Sequence, residues 1–355
     1  MYDFLIVGAG FYGATIARLL TDAGKSVIVL ESRAKVGGNA SDSWHEDFLI
    51  QDHGGHIFHT NDGEIWRFVN QFGKFWNYRH EVIVDNYGKK YSFPFSLRTL
   101  KEVEGSTGKG GKYGRDLESW AISQMGKQAY NIFVKHFTEK QWGVSATKLP
   151  SSILRRIHFR NTYYTGYFLD EFQGMPEQGY TRLIENMLGG IEVRFNEKVH
   201  QNHPLTGLRP TICTAPIDEF YGYRFGKLPY RSLRFETLTE LGTENLQGIA
   251  TINHTGATPN YTKTHEWRHY MKNPPRGKSA ITFEYPQVWK EGRERYYPIK
   301  SQESTELFQR YSNLAAEQGI LFGGRLGRYQ YIDMHQAIGM AMKDAGKILD
   351  GTLSL

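Results

Sequence analysis

The 355-residue chain has a single cysteine, Cys213. No disulfide framework can form within it, which fits a reducing compartment such as the cytoplasm. Cys213 sits in the apolar run RPTICTAP and reads as a buried structural thiol. Long hydrophobic runs are missing too. No stretch approaches the ~18 apolar residues that cross a bilayer, so no membrane span is expected. The opening MYDFLIVGAG carries no basic leader and no cleavage site. Basic runs of five or six residues and zinc-ligand spacings are lacking, which argues against nucleic acid as a partner. Neither sign of charge dominates: 43 Lys and Arg stand against 37 Asp and Glu, a net +6 that suits a phosphate-bearing ligand. Internal repeats and low-complexity tracts are absent as well.

Aromatics are plentiful. Twenty-two tyrosines, 21 phenylalanines and 7 tryptophans give a globular chain with stacking surface and hydroxyls for a polar aromatic ligand. DFLIVG, residues 3–8, is apolar without alternation, so both faces of this strand are buried, as in a parallel sheet. A helix over Gly13 to Ala23 and a second strand, SVIVLE, complete a βαβ unit. Residues 61–76 read as a helix, with Asn61 and Glu64 at capping-box spacing. A hairpin is expected about Asn86-Tyr87-Gly88. Helical patterns fill 98–155 around the Gly-rich GSTGKGGKYG. Strand signals return in IEVRFNEKV and TICTAP, an antiparallel sheet is expected over 230–300, and GILFGG precedes a closing helix at 334–349.

GAGFYG places Gly8, Gly10 and Gly13 in G-x-G-x-x-G spacing between strand and helix. These glycines permit a tight turn, close approach to a pyrophosphate and close helix–strand packing. The helix N-terminus then faces the anion. Glu31 ends the second strand, where it can bind an adenosine ribose hydroxyl. Glu31-x-Arg33 followed by Gly37-Gly38 resembles the extended fingerprint of FAD proteins of the glutathione-reductase and amine-oxidase type. That resemblance implies cofactor contacts from Tyr12, Ser32, Arg33, Gly38, Asn39 and Ile57. It gives a second helix N-terminus, at Asp333 and Met334, and Arg325 before it, the same role near the flavin. The fold class expected is α/β: a Rossmann-like FAD-binding domain from 1–76, 186–225 and 318–355. A helical domain at 98–156 and an antiparallel-sheet domain from 77–97, 157–185 and 226–317 are inserted in it.

QDHGGHIFHT sets His53, His56 and His59 three residues apart. Histidine is the commonest metal ligand and acid/base group near neutral pH. Two glycines inside the run keep the imidazoles off one helical face, and no carboxylate pair or cysteine lies nearby, although Asp52 could serve as one ligand. No metal is expected. The flavoprotein resemblance implies that the glycines let backbone pass close to a flavin ring, with His56 against it, while His53 and His59 are structural.

FTEKQWG, LPSSILRRIHFRNTYY, NYTKTHEWRHY, YYPI and RYQYIDM, with GGN and HIFHT before them, resemble the bacterial-type UDP-galactopyranose mutases in order along residues 1–350. The resemblance implies a flavin used without net redox. Reduced FAD attacks the anomeric carbon of UDP-galactopyranose through N5, the sugar reopens and recloses as a five-membered ring, and UDP-galactofuranose leaves. An external reductant such as NAD(P)H and a homodimer are implied with it. His56 tunes the flavin. Arg156, on a mobile loop near 155–168, and Lys263 hold the diphosphate. Tyr167, Tyr297 and Tyr331 hydrogen-bond phosphate; Phe133, Phe137, Thr138, Trp142 and Asn253 surround the uridine and sugar. Three positions depart from the pattern. Lys263 stands for arginine and loses its fork, Phe137 for tyrosine, and His80 for asparagine. Gly55 stands where relatives carry small residues or an arginine, which favours plain galactose. Other readings are an FAD amine oxidase, a non-catalytic nucleotide-sugar binder and a metal hydrolase at the histidines.

Overall fold

The computed structural model describes residues 2–106, 116–153, 159–353 and 355. The strand Phe4–Val7 lies at the centre of a five-stranded, all-parallel sheet. Val27–Leu30 and Glu192–Arg194 extend it on one side, Thr211–Cys213 and Ile320–Phe322 on the other. Leu5, Ile6, Val29, Leu30 and Ile212 are fully buried, as expected where helices cover both faces. The helix Phe11–Asp22 packs against the last helix, Met334–Leu349. Tyr12 ties the two by donating to Asp344 at 2.6 Å. Helix Gly179–Met187 joins the same core through Tyr180, Leu183, Ile184 and Met187.

A seven-stranded sheet stands beside it. Its order is Tyr297–Pro298, Tyr230–Leu241, Ser279–Val288, Lys263–Glu266, Thr251–His254, Val82–Asn86, Lys89–Phe93. All neighbours are antiparallel except Thr251–His254 with Val82–Asn86. Tyr87 at φ +53° and Gly88 at φ +85° make the hairpin turn anticipated there, since paired positive φ values match strand twist. Helices Leu117–Tyr130 and His136–Trp142 cap this sheet over a core of Tyr91, Phe95, Trp120 and Phe133.

One helix is shorter than its pattern. It runs Gly63–Asn70, and Asp62 caps it by accepting from Glu64 N and Ile65 N at 2.8 and 3.2 Å. Asn61 instead receives Glu171 N and donates to Asp170. Beyond Gln71 the chain turns into the strand Phe75–Trp76. A Cβ on Gly73 would come 2.8 Å from Leu183, so a residue larger than glycine would press this turn against the core. The Gly-rich segment from 107 to 115 and residues 154–158, Arg156 among them, lie outside the described residues.

Candidate active site

One cleft of about 1480 Å³ runs from the glycine turn, past the second sheet, to the helices over it. Its floor at one end is backbone. Gly8 has φ +97°, and a Cβ there would meet Thr214 Oγ1 at 2.0 Å. Gly13 admits no Cβ either, since it would lie 1.9 Å from the Gly8 carbonyl oxygen. Gly10 and Gly38 bring two stretches of chain together: a Cβ on Gly38 would sit 3.2 Å from Gly10 Cα. Glu31 is buried and accepts Ala9 N at 2.7 Å and Arg33 N at 2.9 Å. The carboxylate therefore braces the turn, with acceptor capacity to spare.

Buried polar atoms without a partner point to what fills the cleft. Among the described residues these include Arg33 Nη1, Arg325 Nε and Asn253 Oδ1, all on side chains lining it. Orphaned guanidinium nitrogens beside a bare-backbone cradle fit a dinucleotide pyrophosphate. Asp333 and Met334 open the last helix on the opposite wall. Every described residue anticipated at the cofactor or substrate lines this one cleft.

His56 faces its middle. Its Nδ1–H donates to Gly54 O at 2.7 Å, its backbone bonds Gln51, and Tyr180 donates to its carbonyl. Nε2 is thus the basic nitrogen. Burial, then the Arg325 charge, lowers its pKa to about 4, so the ring is neutral. His53 pairs with Tyr296 OH at 2.8 Å, and burial followed by Arg33 brings it to about 3. His80 contacts Tyr78 OH at 3.0 Å, and burial brings it also to about 3. Unfolded histidine takes up a proton below about 6.5, so the unfolded chain binds more protons. Stability is full above that pH and falls as pH drops from 6.5 toward about 4 for His56 and about 3 for His53 and His80. His80, 4% exposed, contributes on the order of 1 kcal/mol per pH unit; the more exposed His53 and His56 contribute less, screened by water. Urea midpoints should fall steeply from pH 6.5 to 5 and change little from 8 to 7.

His59 stacks on Phe168 at 3.8 Å and bonds Asp170 at 3.0 Å. Asp333 and His335 come close enough to form with it a possible three-ligand group, its donor atoms within 4.8 Å of one another. Asp333 and His335 lie over 270 residues from His59 along the chain, so the histidine run itself gives no sign of them. Asp333 is already engaged as the cap of the last helix.

Toward the second sheet, Lys263 lies 3.2 and 3.5 Å from the Glu284 carboxylate. His265 approaches Glu284 at 3.4 Å and Tyr270 OH at 2.8 Å; Tyr270 OH lies 2.5 Å from Thr251 Oγ1. Burial pushes Glu284 up, yet Lys263 and His265 outweigh it and hold the carboxyl at about 2. Burial disfavours the Lys263 ammonium, but Glu284 raises its pKa above the ordinary lysine value. Sequence reasoning missed Glu284, His265, Tyr270 and Thr251. The one signal was a carboxylate in the strand SAITFEYPQV; only sheet register sets it opposite Lys263. A Cβ on Gly55 would strike His265 and Tyr270, each at 2.8 Å, so this network fills the space beside it.

The far end is aromatic. Phe133, Phe137, Thr138 and Trp142 line it, with Trp142 and Tyr297 rings 6.2 Å apart and Tyr297 and Tyr331 5.4 Å apart. Arg325 sits 4.3 Å over the Tyr331 ring. Lys140 fixes this end by donating to the carbonyls of His254, Pro259 and Tyr261 at 2.8, 2.8 and 3.1 Å. Burial there brings it down to about 8.

A parallel Rossmann-type sheet with an inserted sheet and helical cap, sharing one dinucleotide-sized cleft, defines a flavoprotein-type fold. Residues 6–72 match an NAD(P)-binding Rossmann-like domain, and residues 132–331 match the UDP-galactopyranose mutase family. A probable UDP-galactopyranose mutase of Klebsiella pneumoniae is 33% identical, over 98% of this chain and 94% of its own. A dTDP-fucopyranose mutase of Escherichia coli is 31% identical, over 97% and 98%. A crystal structure of a reduced UDP-galactopyranose mutase superposes with a TM-score of 0.78 at 16% identity, covering 99% of this chain and 96% of that one. The chain belongs to the UDP-galactopyranose mutase family, whose members are isomerases.

Proposed function

We propose that this protein interconverts UDP-galactopyranose and UDP-galactofuranose on reduced FAD, with no net redox. The observation that carries the reading is one continuous cleft that joins three things: the glycine cradle, a cationic middle, and an aromatic end suited to a nucleobase. Bound reduced flavin supplies an electron-rich nitrogen for the sugar's anomeric carbon. The chain's own work is positional and electrostatic. Lys263, joined by Arg156, neutralises the diphosphate as it parts from the sugar, while Arg325 serves the cofactor. Tyr167, Tyr297 and Tyr331 orient it, and Phe133, Phe137 and Trp142 hold the uracil by stacking. Neutral His56 presents Nε2 as an acceptor beside the reacting centre. The compact Gly55 wall favours plain galactose over its N-acetyl derivative. An external reductant such as NAD(P)H, a homodimer and a cytoplasmic setting belong to the same reading.

The test is direct. The purified protein should be yellow and, after dithionite reduction, convert UDP-galactofuranose to UDP-galactopyranose on chromatography. No conversion, or equal conversion with oxidised flavin, overturns the reading. The Escherichia coli relative supports a second substrate, a dTDP-6-deoxyhexose; faster turnover of dTDP-fucopyranose would select it. Lys263→Arg should lower KM several-fold, because an arginine fork can hold Glu284 and reach a phosphate oxygen together. An unchanged KM would remove Lys263 from the diphosphate site.

A further inference from the structure

We propose that Glu284 couples diphosphate binding to protonation of His265, so that the enzyme takes one proton from solvent as it takes up a UDP-hexose. The inference rests on the mutase reading above. Lys263, Glu284 and His265 form a chain on two neighbouring strands, with Lys263 directly opposite Glu284. The lysine side chain is 27% exposed and the Glu284 side chain 3%, so the lysine is the member free to move. As the side chains stand, its ammonium is committed to Glu284, and burial together with that ammonium disfavours a proton on His265.

A diphosphate in the cleft competes for that ammonium. As Lys263 turns to the phosphate oxygens, Glu284 is left buried with His265 as its neighbour. A buried carboxylate facing a neutral imidazole is poorly compensated, and an imidazolium answers it with a charge-assisted bond. Departure of the lysine and arrival of a double negative charge both raise the proton affinity of His265.

The surroundings permit that proton. Facing His265 are Lys263 on its own strand, Glu284, Thr251, Trp267 and Tyr270, with His56 and His80 near enough to interact. Of these, Lys263 and Glu284 are charged at neutral pH; the two histidines are held neutral. Glu284 fixes the neutral tautomer with the proton on Nε2, so Nδ1 accepts from Tyr270 OH. Once Nδ1 is protonated, Tyr270 can accept from it and turn its own hydroxyl to Thr251, 2.5 Å away. Two hydroxyls that can each donate or accept let the network reverse without leaving a buried group unpaired.

Calorimetric titration of the oxidised holoenzyme with UDP-galactose at pH 7, in Tris, PIPES and phosphate, tests this. UDP-galactose has no phosphate group that titrates near neutrality, so buffer-dependent heat reports protein protons. The expected result is about half to one proton taken up per ligand, falling to near zero in His265→Gln and in Glu284→Gln. Melting curves and flavin absorbance check that each variant is folded. Buffer-independent heats in the wild type, or unchanged uptake in either variant, overturn the coupling. Failure of the wild type to bind UDP-galactose at all overturns the mutase reading instead.

Discussion

Lys263→Ala is expected to lose both stability and substrate affinity, and a second substitution should separate the two losses. Glu284 is 2% exposed, and its carboxylate is compensated by Lys263 and His265. Removing the ammonium leaves a buried charge with half its compensation, a change that costs about 3–5 kcal/mol. Urea unfolding at pH 7.5 measures it. Glu284 is held at about 2 by its partners. Its pairing therefore stabilises fully above the unfolded carboxyl range near 4.5 and is lost as pH falls through about 2. In Lys263→Ala a proton on His265 or on the carboxyl itself can relieve the buried charge, so the deficit should shrink toward pH 5. Affinity for UDP-galactose should fall by about 2 kcal/mol, the loss of one charged hydrogen bond to phosphate. Lys263→Ala combined with Glu284→Gln should regain most of the stability and none of the affinity. A single variant that unfolds like the wild type would sink the argument.

Gly13→Ala should give a colourless protein. The added methyl would meet the Gly8 carbonyl oxygen at 1.9 Å and its carbon at 3.1 Å. Both atoms are backbone and cannot swing aside. Helix Phe11–Asp22 would have to move off the sheet, and the turn that cradles the anion would open with it. Overpacking of this kind costs about 1–3 kcal/mol, and flavin binding should suffer more than folding, because the cradle is displaced directly. The ratio of absorbance at 450 nm to that at 280 nm, and titration with added FAD, measure occupancy. Wild-type occupancy would show that the glycine spacing is not the reason the site has this shape.

Local features were legible in the sequence. The glycine turn, the buried βαβ strands and the Tyr87-Gly88 hairpin are each dictated by residues within a few positions of one another. The aromatic and tyrosine set around the far end came from the family resemblance, not from periodicity, since each of those residues alone reads as core. What could not be read depended on register and on distant partners. Glu284 meets Lys263 because two antiparallel strands align at that pair, 21 residues apart. His59 is held by Asp170 and neighbours His335, and the run His53–His59 predicts neither. Asp62 took the cap expected of Asn61 because Asn61 is drawn to Asp170 and Glu171.

The order of strands in the parallel sheet has a consequence for synthesis. A ribosome emits Phe4–Val7 and Val27–Leu30 first, yet the flank of Phe4–Val7 away from Val27–Leu30 is closed only by Thr211–Cys213, and the sheet's edge only by Ile320–Phe322. For most of translation the nascent chain carries an exposed apolar edge with nothing to pair it. The inserted sheet and helices are released before Arg325 and Asp333 arrive, so the two walls of the cleft meet only in a nearly finished chain.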